Sequence, residues 1–178
     1  MDNVRIGVIG LGNMGQYHVK YLREGAVNGC TLTAASDAVA ARTEALAGEM
    51  AVFATSEALV SSGKVDAVLI ATPHFAHTTI GIDALQHGLH VLVEKPISVH
   101  VADTARLLAA HTDPSLVFAA MFNLRLDARF LQLKRIMTEG QLGQLQRVNW
   151  VMTDWFRTEA YYASSAWRAT WQGEGAVC

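Results

Sequence analysis

Val4-Arg5-Ile6-Gly7-Val8-Ile9-Gly10-Leu11-Gly12-Asn13-Met14-Gly15 is the stretch on which the reading of this chain turns. Val4 to Ile9 is short, apolar and β-branched, the composition of a buried parallel strand. Gly10, Gly12 and Gly15 follow at G-x-G-x-x-G spacing. The first glycine lets the chain turn off the strand, the second leaves room for a phosphate pair against the backbone, and the third lets the next helix pack closely on the strand. The free N–H groups and dipole of that helix start attract negative charge. An ordinary tight turn is the bland alternative, but the place of the triplet between strand and helix favours a dinucleotide cradle made by Gly10, Leu11, Gly12, Asn13, Met14 and Gly15.

Outward from this motif, residues 13–24 are expected to form a helix, with Met14, Val19 and Leu22 as inward candidates and a break at Gly25 to Gly29. Leu32 to Ser36 reads as a second strand ending at Asp37, 22 positions after Gly15. An acid at about that offset accepts hydrogen bonds from both hydroxyls of an adenosine ribose and repels a 2′-phosphate, which favours NAD over NADP. The alternative is that Asp37 caps a helix over Ala38 to Ala47; Arg42 in that helix would soften the preference. Val52-Phe53 is a brief third strand, and Thr55 or Ser56 caps a short helix to Ser62.

Val65 to Ala71 is a fourth strand that runs into Thr72-Pro73-His74-Phe75-Ala76-His77, and a helix continues to about His87, closed by Gly88. Ligands of such sheets lie beyond the carboxyl ends of the strands. This puts Ala71, Thr72, Pro73 and His77 at a cofactor edge, with His77 read as a loop scaffold ahead of a chemical role. Leu89 to Val93 is the fifth strand, with Glu94-Lys95-Pro96 at its mouth. Lys95 there could pass a proton or a hydrogen bond to a substrate oxygen, with partial burial lowering its pKa toward that task; the alternative is a solvated strand end. Ser98 is expected to cap a helix to His111, and Leu116 to Phe122 makes a sixth strand. The fold class is α/β, a doubly wound parallel sheet in the order 3-2-1-4-5-6, followed by an incomplete α+β part.

Composition bounds the rest. With 51% hydrophobic and 17% charged residues, a core is easily supplied. A net charge of −2 without a basic run gives no pointer to nucleic acid. Cys30 and Cys178 fit neither zinc spacing nor a disulfide framework, so reduced thiols in a cytoplasmic protein and no metal site are expected. An N-terminus that enters a strand directly argues against a secretory signal, and no apolar run approaches the length of a membrane helix.

Taken together, these motifs resemble the Gfo/Idh/MocA family, the glucose–fructose oxidoreductase and inositol dehydrogenase group. The likeness is carried by Gly10 to Gly15, Asp37, Ala71-Thr72-Pro73 with His77, and Glu94-Lys95-Pro96. Further along it is carried by Phe122-Asn123-Leu124-Arg125-Leu126-Asp127, Glu139-Gly140-Gln141-Leu142-Gly143 and Trp167-Arg168. The resemblance implies a nicotinamide-dependent oxidoreductase acting on a sugar, inositol or related polyol. It implies Lys95 as the catalytic residue, Glu94 beside the cofactor, and Asn123, Arg125, Trp167 and Arg168 near substrate. The full-length family form is expected to be a homo-oligomer.

No Asp-x-x-x-His motif follows Trp167-Arg168, where the family carries it, so the alternative reading is a dinucleotide-binding module without catalysis. The expected division is residues 1–123 for the Rossmann domain and 124–178 for the start of a substrate domain. That start is read as a helix near Asp127 to Glu139 and a half-buried strand near Leu145 to Asp154, on the alternation of Val148, Trp150 and Met152. An aromatic tail of Trp155, Phe156, Tyr161, Tyr162, Trp167 and Trp171 follows. It is read as packing against strands this sequence does not encode, ahead of sugar stacking.

Overall fold

The computed structural model describes residues 3–153, 156–164, 167–168, 170 and 173. Six parallel strands form one sheet: β1 (Val4–Ile9), β2 (Cys30–Ser36), β3 (Ala51–Phe53), β4 (Ala67–Ile70), β5 (His90–Val93) and β6 (Phe118–Ala120). Their order is β3-β2-β1-β4-β5-β6, as expected from the alternation of apolar runs and helical stretches. The change of direction between β2-β1 and β1-β4 makes the crevice at the carboxyl end of β1 the topological switch point.

The helices of this part are α1 (Asn13–Arg23), α2 (Ala40–Glu44), α3 (Ser56–Val60), α4 (Ala76–Gln86) and α5 (Val101–Ala110). Strand side chains alternate between two layers. Ile9, Ala34, Val68, Ile70, Val91 and Val93 pack with Leu59 of α3, Ile80 and Ala84 of α4 and Leu107 of α5. Val8, Ala35 and Leu69 pack on the opposite layer with Val19 and Leu22 of α1 and Leu46 just beyond α2. A sheet covered on both faces explains why its strands read as unbroken apolar runs.

Local chemistry moves several element ends. Met14 is exposed and not inward, whereas Val19 and Leu22 are buried as expected. α2 starts two residues late because the Asp37 carboxylate accepts the Val39 N–H at 2.8 Å, a turn that keeps Val39 extended as the cap. Thr55 does cap α3, accepting from the Ala58 N–H at 3.2 Å. Ser98 does not cap α5: His100 holds that position, and Ser98 Oγ lies 2.6 Å from Thr78 Oγ1.

By proximity the chain divides into two units, one running to Met121 and the other Phe122–Arg168. The second holds a 3-10 turn (Asn123–Leu126), α6 (Ala128–Thr138) capped by Asp127, and α7 (Glu159–Ala163) capped by Thr158. Residues 145–153 form no strand, contrary to the alternation, and Val148, Trp150, Val151 and Met152 are exposed. An alternating run becomes a strand only when another strand completes its hydrogen-bond ladder. Trp150 instead stacks on Phe130 of α6, ring centres 5.5 Å apart. Asp154, Trp155, Trp171 and Cys178 lie outside the described residues.

Candidate dinucleotide site

The three glycines have different surroundings. Gly10 adopts φ +90°, and a Cβ there would lie 2.8 Å from Ala71 O and Thr72 N, so only glycine lets β1 turn against the end of β4. A Cβ on Gly15 would lie 1.8 Å from Gly10 O, which fixes how closely α1 starts against the turn. A Cβ on Gly12 would meet nothing within 4 Å. Gly12 is therefore not required by packing. It stands as the cap of α1, beside the N–H groups of Asn13, Met14 and Gly15 that the helix itself leaves open. Space at the second glycine and crowding at the other two is the arrangement a pyrophosphate cradle needs.

Asp37 follows β2 beside this loop. It is buried, and one carboxylate oxygen accepts the Leu11 N–H at 2.6 Å while the other accepts the Val39 N–H. Arg42 Nη1 lies 3.2 Å from it. Asp37 thus ties the glycine turn to the start of α2 and keeps an anionic oxygen at the β2 edge, with Arg42 offsetting part of its charge. An open cleft of about 660 Å³ adjoins it, lined by Leu11, Gln16, Lys20, Arg42 and Leu46 among others. Ser36 Oγ and Thr72 Oγ1, at the carboxyl ends of β2 and β4, are buried hydroxyls without a hydrogen-bond partner among the described residues.

The mouth of β5 is held from both faces of the sheet. From α4, the fully buried His77 places Nδ1 2.8 Å from Pro96 O and Nε2 2.9 Å from Thr72 O. Burial pulls the imidazole below its ordinary range, against the pull of those carbonyls. A neutral ring has one N–H to share between these two carbonyls, so His77 bridges the β4 and β5 loops through one donated hydrogen bond at a time. From α1, the buried His18 places Nε2 2.7 Å from Glu94 Oε1, and its Nδ1 lies 2.8 Å from Tyr21 Oη. Burial alone would raise the Glu94 carboxyl, but the His18 hydrogen bond and the Lys95 N–H carry it below its ordinary range. The side chain of Lys95 is exposed, so the partial burial expected of it is absent.

His18 escaped the sequence reading. Its signal was its register: with Gly15, Val19 and Leu22 it shares the inward face of α1, where a polar side chain must find a partner. In the second unit, Asn123 and Arg125 sit in the 3-10 turn. Arg125 lies over the Phe122 ring, and Arg168 lies over the rings of Tyr161 and Trp167.

With this geometry in place, comparison with known proteins is decisive for kinship. Residues 4–122 match the family model of oxidoreductases with an NAD-binding Rossmann fold, GFO_IDH_MocA. The chain belongs to that family. Inositol 2-dehydrogenase 1 of Saccharopolyspora erythraea is 34% identical over 145 residues, 79% of this chain and 43% of that protein. The scyllo-inositol dehydrogenase of Lactobacillus casei, solved with bound NAD(H) and scyllo-inositol, is 28% identical with a TM-score of 0.72. The match covers 80% of this chain and 43% of that one. The WlbA dehydrogenase of Bordetella pertussis, in complex with NADH and UDP-GlcNAcA, is 22% identical with a TM-score of 0.85 over 97% of this chain and 50% of its own; it shares the fold. The chain spans about 43% of the length of the inositol dehydrogenases it matches. Among the described residues, no helix is long and apolar enough to cross a membrane.

Proposed function

We propose that this chain is the dinucleotide-binding part of an oxidoreductase that transfers hydride between nicotinamide and a carbon bearing a hydroxyl, on a sugar, inositol or related polyol. The cofactor we favour is NAD. The observation that carries this reading is the open space at Gly12 between two sterically obligatory glycines, beside a buried Asp37 that accepts the N–H of Leu11. The glycine turn and the start of α1 offer N–H donors to a phosphate pair, and Asp37 accepts ribose hydroxyls at the end of β2. Ala71, Thr72, Pro73 and His77 form the adjoining wall, and Glu94 borders the nicotinamide end. Lys95 polarises the substrate oxygen and holds the proton that leaves or arrives with hydride transfer. Bound NAD supplies the hydride chemistry; the protein supplies placement. The inositol named for the relatives supports a polyhydroxylated substrate, with Asn123, Arg125, Trp167 and Arg168 as its weaker candidate contacts.

For these 178 residues taken by themselves, a second reading is a binding module without turnover, favoured by the exposed side chain of Lys95. Titration of the purified chain with NADH and NADPH, followed by assay with myo-inositol and NAD, separates the two. We expect NADH binding that is tighter than NADPH binding, and no useful turnover. Asp37→Ala should lower NADH affinity by about 1–3 kcal/mol, the scale of a hydrogen bond to a charged group. It should weaken NADPH less. Failure of the wild-type chain to bind either nucleotide overturns the assignment, and steady inositol oxidation overturns the module reading.

A further inference from the structure

The buried pair His18–Glu94 spans two places that the proposed function uses for different parts of one ligand. His18 lies on α1, ~8 Å along the helix axis from its first residue, at 1.5 Å per residue. That first turn is the proposed phosphate cradle. Glu94 lies at the mouth of β5, next to Lys95. Every polar group in the link is matched. Tyr21 O–H can donate to His18 Nδ1 and His18 Nε2–H to Glu94 Oε1, while Glu94 Oε2 accepts the Lys95 N–H at 3.1 Å. The Glu94 N–H in turn donates to Ile70 O at 2.9 Å. The carboxylate therefore cannot swing toward solvent without breaking contacts on two elements, and a buried carboxylate deprived of its partner is strongly disfavoured. On the far flank of Lys95, His77 holds Pro96 O from the opposite face of the sheet. An exposed lysine side chain thus stands on a backbone pinned on both sides.

We infer that His18 is a positioning residue: through Glu94 it fixes the distance between the phosphate cradle at the start of α1 and the Lys95 backbone at the end of β5. This rests on the dinucleotide reading above. It makes a prediction that a merely core-filling polar pair does not, because only a ligand that reaches both places should sense the link.

The test compares NADH with ADP-ribose, which carries the phosphates and adenosine but no nicotinamide. Both are titrated calorimetrically against the 178-residue chain, with nicotinamide emission recorded for NADH. His18→Phe keeps an aromatic ring and removes the donor to Glu94. It should weaken NADH about 10-fold, the scale of one hydrogen bond to a charged group, and ADP-ribose less than about twofold. The emission of bound NADH should shift toward that of free NADH. His18→Gln, which retains an N–H within reach of Glu94, should recover most of the NADH affinity. Should His18→Phe fail to fold, Tyr21→Phe decides. It removes only the hydroxyl that orients the ring, and should change the NADH to ADP-ribose affinity ratio by about threefold, a fraction of the full effect. Equal weakening of both ligands, or an unchanged ratio in the variant that folds, overturns the inference while leaving the dinucleotide site standing. A wild-type chain that binds neither ligand overturns the site, and the inference with it.

Discussion

The sheet unit and the Phe122–Arg168 unit are drawn from similar amino acids and use them in opposite ways. In the sheet, Val8, Val68, Ile70, Leu59 and Leu107 are sealed between strands and helices. In Phe122–Arg168 no described residue is buried, and Leu126, Val151 and Phe156 are 80%, 83% and 86% exposed. Apolar composition does not distinguish the two; the presence of a second layer does. Each strand of the sheet has a neighbour to complete its ladder and a helix to cover its face. Residues 145–153 have the alternation of a strand but, among the described residues, no strand beside them. Burial is a property of pairs of elements, which is why a pattern within one segment can be right about polarity and wrong about structure.

The contrast is tested most forcefully by deleting side chains. Leu69, 1% exposed and packed with Val8, Val19 and Leu22, should cost about 2–5 kcal/mol as Leu69→Ala, since the lost transfer energy is joined by a cavity. Leu126→Ala should cost less than about 0.5 kcal/mol. Urea unfolding followed by circular dichroism measures both. Comparable losses would mean that the two units share one core.

Within the sheet unit, the glycines sharpen the distinction between packing and ligand space. Gly15→Ala forces a methyl into Gly10 O and should destabilise by about 1–3 kcal/mol, as overpacking does. It should also abolish nucleotide binding. Gly12→Ala should leave the unfolding midpoint within about 0.5 kcal/mol of wild type, because nothing lies near its Cβ, while weakening NADH. If Gly12→Ala destabilises as much as Gly15→Ala, the space at Gly12 is not a ligand's.

The pH response comes next and belongs to the braces at β5. Burial lowers the His77 imidazole, against Pro96 and Thr72. The unfolded chain therefore takes up a proton near pH 6.5 that the folded chain refuses, and stability falls as pH drops below that value. Glu94, whose carboxyl burial would raise but His18 and the Lys95 N–H carry lower, contributes stability above its ordinary 4.5 that is lost as pH falls through its folded value. Both signs agree. Urea midpoints should decline from pH 7 to pH 5, and again toward pH 4. His77→Gln should flatten the first decline and spare the second; a flat wild-type profile from pH 7 to pH 5 would contradict the brace as described.

These particulars show what could be read in advance. Strand order and the glycine turn were legible because buried parallel strands leave unbroken apolar runs punctuated by Gly and Pro. The His18–Glu94 pair left no local mark, since its members are 76 positions apart. The exposure of Lys95 depends on how the β5 loop is pinned by α1 and α4, which no spacing reports. Ser98 looked like a cap because serine suits that role. The hydroxyl of Thr78, 20 positions upstream, competes for it and α5 starts later.

The smallest effect tests the second unit alone. Val151 stands 83% exposed in a segment without regular structure, so Val151→Thr removes little from the folded state and adds a hydroxyl that water can satisfy. Its unfolding midpoint should move by no more than about 0.5 kcal/mol, in either direction. The same should hold at low and high protein concentration. A loss well beyond this that grows with concentration would mean that Val148, Val151 and Met152 are covered by another copy of the chain in solution. The difference between the two units would then lie in where each finds its second layer, not in whether it has one.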